Sequence, residues 1–352
     1  MNACERILHY ADHTPQEPPA VIEPGPPASW PSSGSVEFSK YCMKYRDETP
    51  EVLHGISFTI KPGEKVGIVG RSGSGKSSIL ASVFRLIQDH LVSGDIRIDD
   101  LPIHKLGISQ LRSKLSIIPQ DPIMFSGSVR SNLDPMGIFA SKGDGPLYDA
   151  IEAVGLKRAV EEKGGLDADV KEFGENFSQG QRQLICLARV LLRQSGILML
   201  DEATSSVDFE TDQAMQKVIR EYFTDKTILT IAHRLNTVIN SDKVLVIDDG
   251  RVAEFDHPYR LLQQPTSIFA RLVNEVSSMP AMAPPPSFHH CFGFCVQMGA
   301  TNATKLKSIA EQHYQQYVAS HPEGAAAPTS APPGADTTAA PAAATPDDVQ
   351  ST

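Results

Sequence analysis

Asn176-Phe-Ser-Gln-Gly-Gln-Arg-Gln-Leu184, followed by the apolar run Ile197-Leu-Met-Leu200 and the acidic pair Asp201-Glu202, decides how this chain folds. A helix start, a buried strand and two carboxylates at the strand's end occur within 27 residues. Working outward, Gly70-Arg-Ser-Gly-Ser-Gly-Lys-Ser77 lies well upstream, directly after Val66-Gly-Ile-Val69, which reads as a buried strand. Behind it, Ser77 to Ile87 places Ile79, Leu80, Val83, Leu86 and Ile87 on one face of a helix. Strand, glycine loop and helix in that order are the arrangement that binds a polyphosphate. Glycines 70, 73 and 75 let backbone N–H groups turn inward, and the helix offers its positive end. Gly70, Arg71, Ser72, Gly73, Ser74, Gly75, Lys76, Ser77 and Ser78 are therefore candidate nucleotide-binding residues. Lys76 supplies a mobile cation for the terminal phosphates and Ser77 a hydroxyl for Mg²⁺.

The acidic pair completes the chemistry. An apolar strand that ends in carboxylates is how α/β sheets place groups for metal and water. Asp201 is expected to hold Mg²⁺, and Glu202 to polarise an attacking water, a role worth ~10²–10⁴ in rate. Two acidic residues could also cap the following helix, and Ser178-Gln-Gly-Gln181 could be an ordinary N-cap. Their order behind the glycine loop favours the catalytic reading. Three single residues join the set. Gln120, at the end of Ile117-Ile-Pro-Gln120, could reach metal and water with its amide. His233 follows the strand-like run Thr227–Ile231. Tyr45, upstream of the first β-region, has a ring able to stack on a base, with Tyr41 as its competitor.

The rest of the chain frames this core. Of 352 residues, 41% are hydrophobic, enough for one large core or two small ones. A net charge of −10 argues against nucleic acid as a partner. Five cysteines without repeating spacing point to a reducing compartment. Met1 to Tyr10 lacks the pattern of a secretory signal, and no apolar run is long enough to cross a bilayer. Residues 1–34 read as a connector, extended and proline-rich from 11 to 34. Residues 35–276 alternate strand-like and amphipathic runs, with further strands at Asp95–Ile98, Leu115–Ile118 and Val244–Ile247. Within them, 121–192 reads as an inserted helical subdomain. Residues 277–352 turn to Ala, Pro, Thr and Ser and are expected to be largely disordered, with one helical island at Thr304–Ala319. In that island Leu306, Ile309, Tyr314 and Tyr317 are the candidate contacts. His289-His-Cys-Phe-Gly-Phe-Cys295 lacks metal-ligand spacing, and Cys186 reads as a small buried apolar residue.

The chain resembles the nucleotide-binding domain of ABC transporters, and more closely the second such domain of the C subfamily, the multidrug-resistance-associated type. The resemblance runs through Val66-Gly-Ile-Val-Gly70, Leu111-Arg-Ser-Lys-Leu-Ser-Ile-Ile-Pro-Gln-Asp-Pro122, Phe125-Ser-Gly127, Arg130-Ser-Asn-Leu-Asp-Pro135 and Ile231-Ala-His-Arg-Leu235, over residues 35–276. Cys4-Glu-Arg-Ile7 and Trp30-Pro31 resemble the connector that leaves the last transmembrane helix in those proteins. The resemblance implies an α/β P-loop NTPase of the ABC-ATPase type: a mixed β-sheet core, an inserted α-helical subdomain and an antiparallel β-subdomain. It implies ATP and Mg²⁺ as cofactors and a Mg-dependent ATPase that powers export. Ser178, Gly180, Gln181 and Asp208 would face the nucleotide of an opposing nucleotide-binding domain, with Ser205-Ser-Val-Asp208 crossing the contact. Transmembrane domains, absent from this chain, would be the other partner, and would hold it on the cytoplasmic face of a membrane. Two other classes fit less well: a soluble ABC ATPase, which usually adds a second cassette or long coiled coil, and a nonhydrolytic regulatory module, against which Lys76, Gln120, Asp201, Glu202 and His233 argue. The sequence departs from the usual signature at Phe177 and Gln179. Gln179 puts a side chain where a backbone approaches phosphate, which weakens the partner's site.

Overall fold

A computed structural model of the chain describes residues 3–14, 16–201, 203, 207–232, 235–278 and 302–321. Its strands are β1 (Val36–Met43), β2 (Leu53–Ile60), β3 (Lys65–Val69), β4 (Val92–Ile98), β5 (Leu101–Pro102), β6 (Leu115–Ile118), β7 (Gly127–Ser128), β8 (Asp169–Val170), β9 (Ile197–Asp201), β10 (Thr227–Ile231), β11 (Lys243–Asp248) and β12 (Arg251–Asp256). Its helices are α1 (Ala3–His13), α2 (Lys76–Val83), α3 (Ile108–Arg112), α4 (Val129–Leu133), α5 (Gly145–Ala153), α6 (Lys157–Glu161), α7 (Gln179–Arg193), α8 (Phe209–Tyr222), α9 (Leu235–Val238), α10 (Pro258–Gln263), α11 (Ile268–Ser278) and α12 (Asn302–Ser320).

The main sheet runs β12-β11-β3-β10-β9-β6, parallel except for β12, which pairs antiparallel with β11. Strands buried on both faces read as continuous apolar runs, and β9 shows why. Ile197 and Met199 enter one core with Val66, Ile68 and Ile79, while Leu198 and Leu200 enter another with Ile185 and Leu187 of α7. Beside the first core an antiparallel sheet, β2-β1-β4-β5, supplies Val36, Phe38, Ile56 and Ile60. A third cluster joins Val244 and Val246 of β11 to Leu261, Phe269 and Val273 of α10 and α11. The expected strands are all present, and the regular structure of 121–192 is helical apart from the two-residue ladder of β7 with β8.

Two expectations change, and the helical island in the tail is found where it was expected. The helix after the glycine loop stops at Val83, because Arg85 takes φ +48 and buries its guanidinium against the Ile103 and Leu106 carbonyls. Leu86 is consequently 61% exposed instead of lying on a core face. The proline-rich connector carries a helix, α1, at its start and is then tied down. The Trp30 indole N–H donates to the Ile98 carbonyl, the amides of Ile108 and Ser109 donate to the carbonyls of Pro19 and Ala20, and the Asp99 carboxylate accepts from the amides of Ser33 and Ser35. Finally, the tail is ordered where the helical island was expected. Leu306 and Ala310 of α12 are buried in the third cluster, Ile309 packs beside them, and Tyr314 stacks on Tyr259. Residues 322–352 and the His289–Cys295 motif lie outside the described residues. Cys186 is buried, and burial pushes its thiol up from the usual range.

Candidate nucleotide-binding site

The carboxyl ends of parallel strands are where α/β sheets collect ligands, and here the five parallel strands β11, β3, β10, β9 and β6 end at one edge. β3 runs straight into the glycine loop. A side-chain methyl on Gly70 would overlap the Ile247 carbonyl oxygen, and Gly75, at φ +102, would bring one within 2.8 Å of Leu53 Cδ2. The loop is therefore glycine for reasons of space as well as of dihedral. Within it, the Ser74 amide donates to the Arg71 carbonyl (3.1 Å), and the buried Lys76 ammonium donates to the carbonyls of Gly70 (3.0 Å) and Arg71 (2.9 Å). Arg71, Ser72 and Ser77 are exposed, while Ser74 Oγ is buried without a hydrogen-bond partner. No side chain caps the start of α2, so its first amides have no partner from within the helix.

Tyr45 follows β1 instead of preceding the first β-region, in the loop before β2. Its hydroxyl pairs with Ser78 Oγ at 2.9 Å and the residue is 48% exposed. Tyr41, its competitor, is buried edge-on against Phe38, which leaves Tyr45 as the ring beside the loop.

Asp201 closes β9, in register with Ile231 of β10, and Leu200 is in register with Ile118 of β6. Gln120, two residues past β6 and exposed, therefore lies at the same edge as Asp201. Glu202 and His233 lie outside the described residues, as do Ser205 and Ser206.

The Ser178 segment forms a reciprocal cap on α7. Ser178 Oγ accepts from the Gln181 amide (3.2 Å), and Gln181 Oε1 accepts from the Ser178 amide (3.0 Å). The amides of Gln179 and Gly180 remain at the helix start without an intrahelical acceptor. A methyl on Gly180 would come within 2.8 Å of Thr211 Oγ1, so this glycine sets the approach of α7 to α8. Asp208 caps α8 through the Thr211 amide (2.9 Å) and hydroxyl (2.8 Å), and those bonds hold its carboxyl below the usual range.

One group escaped sequence reasoning. Gln183, 1% exposed, donates its amide to the carbonyl of Pro119, the residue before Gln120, at 3.0 Å. Two turns on, Arg189 reaches the Ile123 and Asn132 carbonyls, and the Asn132 side chain bonds the Phe125 amide and carbonyl. A polar residue on the apolar face of α7 was the available signal.

Residues 53–205 match the family model described as ABC transporter. The chain carries an ABC transporter nucleotide-binding domain. It is 48% identical over 273 residues to the ATP-binding cassette transporter abc2 of Schizosaccharomyces pombe, covering 77% of this chain and 18% of that protein. It is 50% identical over 278 residues to the ABC transporter C family MRP4 of Zea mays (78% and 18%), and 48% identical over 283 residues to ABC transporter C family member 3 of Dictyostelium discoideum (80% and 20%). This chain thus spans 18–20% of the length of these relatives. Among solved structures, a bacterial Atm1-family ABC exporter with ATP bound superposes with a TM-score of 0.66 at 29% identity, covering 78% of this chain and 47% of that one. The nucleotide-binding domain has no described helix long and apolar enough to cross a membrane.

Proposed function

We propose that this domain binds ATP at the glycine loop and hydrolyses it to drive export through transmembrane domains carried by a partner or by a longer chain. The observation that carries the reading is the convergence of the glycine loop, Asp201 and Gln120 on one edge of the parallel sheet. Backbone amides of residues 70–78 would cradle the phosphates, and Lys76 would exchange its two loop carbonyls for phosphate oxygen. Tyr45 would stack on the base. Glu202 would orient and deprotonate the attacking water, with Gln120 and His233 contacting water and terminal phosphate. The donor set of Ser77 hydroxyl, Gln120 amide oxygen and Asp201 carboxylate is all oxygen, which suits a hard cation. Mg²⁺ held there would neutralise charge on the terminal phosphates.

The Ser178 helix start has Asp208 and Thr211 as neighbours, and its Gln179 and Gly180 amides remain for an outside acceptor. Ser178, Gly180, Gln181 and Asp208 would accordingly meet a nucleotide held by a second nucleotide-binding domain, closing head to tail. Attachment to transmembrane domains would place the chain on the cytoplasmic face of a membrane.

Steady-state ATP hydrolysis by the purified chain tests this. Turnover should rise faster than linearly with protein concentration. Glu202→Gln should abolish it while ATP binding persists, and Lys76→Ala should lose binding. Turnover that is linear in concentration and indifferent to Glu202→Gln would refute the proposal.

A further inference from the structure

Gln183 is a polar side chain in the wrong place for a structural filler. It sits on α7 among Leu184, Ile185 and Leu187, one turn past the Ser178 cap, with 1% of its surface exposed. Its Nε2 donates to the Pro119 carbonyl at 3.0 Å, and its Oε1 is buried with no hydrogen-bond partner. The Pro119 carbonyl fixes the amide's orientation, because the flipped form would set oxygen against oxygen. An orphaned buried acceptor is unfavourable, and an apolar residue of the same volume would avoid it. A leucine or methionine would fill the same site. What Gln183 does that they cannot is hold the peptide preceding Gln120. Pro119 lacks an amide hydrogen, so its carbonyl is its one backbone handle. The segment beyond is hung from the same helix by Arg189, through the carbonyls of Ile123 and Asn132.

We propose, on the hydrolytic reading above, that Gln183 is a positioning residue whose buried amide ties the helix beginning at Ser178 to the loop presenting Gln120. It touches neither nucleotide nor water itself. Its effect is to make the Gln120 loop move with α7, so that docking of the Ser178 helix start against a nucleotide and placement of Gln120 at the other site are mechanically linked.

Gln183→Met keeps the volume and removes the donor. Amide hydrogen exchange should then quicken at residues 120–125 while α7 and the glycine loop keep their protection. ATP turnover should fall about tenfold or more through misplacement of Gln120, with KM for ATP unchanged. In a Gln120→Ala background the same substitution should cost nothing further. Gln183→Glu supplies a second readout. Burial raises a carboxyl's pKa, and only the protonated form donates to Pro119. Loop protection and turnover, each relative to wild type, should therefore recover as pH falls, whereas Gln183→Met should show no such recovery. Unchanged exchange at 120–125 in Gln183→Met, or losses that add in the double variant, would overturn the proposal. If the wild-type chain binds ATP without turning it over, the hydrolytic reading fails and the exchange measurement still decides the role of Gln183.

Discussion

Acidification should release the tail helix. α12 lies on α10 and α11 through Leu306 and Ala310, and its polar end meets His257, the N-cap of α10. His257 Nδ1 accepts from the Tyr259 amide at 3.2 Å, so its proton sits on Nε2 and is donated to His313 Nδ1 at 3.3 Å. An added proton on either ring must break one of these two bonds. Burial pushes His257 down to about 3, with help from His313 and Arg260. Burial also lowers His313, although Asp242 opposes it. Glu64 and Asp256 act on Tyr317 at the same junction, and Arg260 donates to the Tyr314 hydroxyl. The sign follows from linkage: the folded form binds fewer protons than the unfolded or undocked form between pH 3 and the ordinary histidine value of 6.5. Stability is therefore whole above pH 6.5 and falls as pH drops through this window. At about 1.4 kcal/mol per pH unit, His257 alone forfeits at most about 2 kcal/mol by pH 5, roughly a thirtyfold shift toward the released form. Urea denaturation at pH 7.5 and pH 5.0 reads the loss, and His257→Asn isolates it, since asparagine caps a helix without titrating. The stability difference between the two pH values should shrink by most of that amount in the variant. Equal differences in the two proteins would refute the assignment.

Further outcomes follow from single contacts. Gly70→Ala must displace the Ile247 carbonyl and should abolish ATP binding, measured by equilibrium titration, while the fold survives. Ser178→Ala removes the acceptor for the Gln181 amide and should cost about 1 kcal/mol in urea denaturation; Ser178→Asn restores the cap, so stability should return even if turnover does not. Asp99 is held below the usual carboxylate range by the Ser33, Gly34 and Ser35 hydrogen bonds, which outweigh its burial. Its contribution is present above the unfolded carboxylate pKa of about 3.9 and is lost as pH falls below it. Asp99→Ala should loosen the connector and cost about 2 kcal/mol, seen as faster proteolysis between residues 16 and 35.

What the sequence showed and what it hid divide along physical lines. β3, β9, β10 and β11 are legible because both of their faces are buried, so the apolar run is unbroken. β1 is not: the register shifts between Phe38 and Tyr41, with Lys40 at φ +46, and the bulge puts Phe38 and Tyr41 three residues apart in the same core. The end of α2 is hidden for another reason, because Leu86 keeps the helical period while Arg85 leaves it to satisfy distant carbonyls. At the site, the glycine loop and the Ser178 cap are local devices, written in consecutive residues. The Gln183–Pro119 bond joins positions 64 apart: the polar residue on the apolar face of α7 is visible locally, but its partner is not.

The placement of Asp201 depends on two cores at once. β9 delivers it from a strand whose alternate side chains belong to different cores. Ile197 and Met199 pack with Ile79 and Val83 of α2, the helix behind the glycine loop. Leu198 and Leu200 pack with Ile185 and Leu187 of α7, the helix behind Ser178. Close-packed interiors transmit displacement instead of absorbing it. A shift of α7 relative to α2 is therefore felt across β9, at the strand that ends in Asp201, and Gln183 carries the same shift to Gln120. Both responses arise in the helix that begins at Ser178, so engagement of that helix start by a second nucleotide would reach the positions proposed for metal and water, Asp201 and Gln120, by two separate routes.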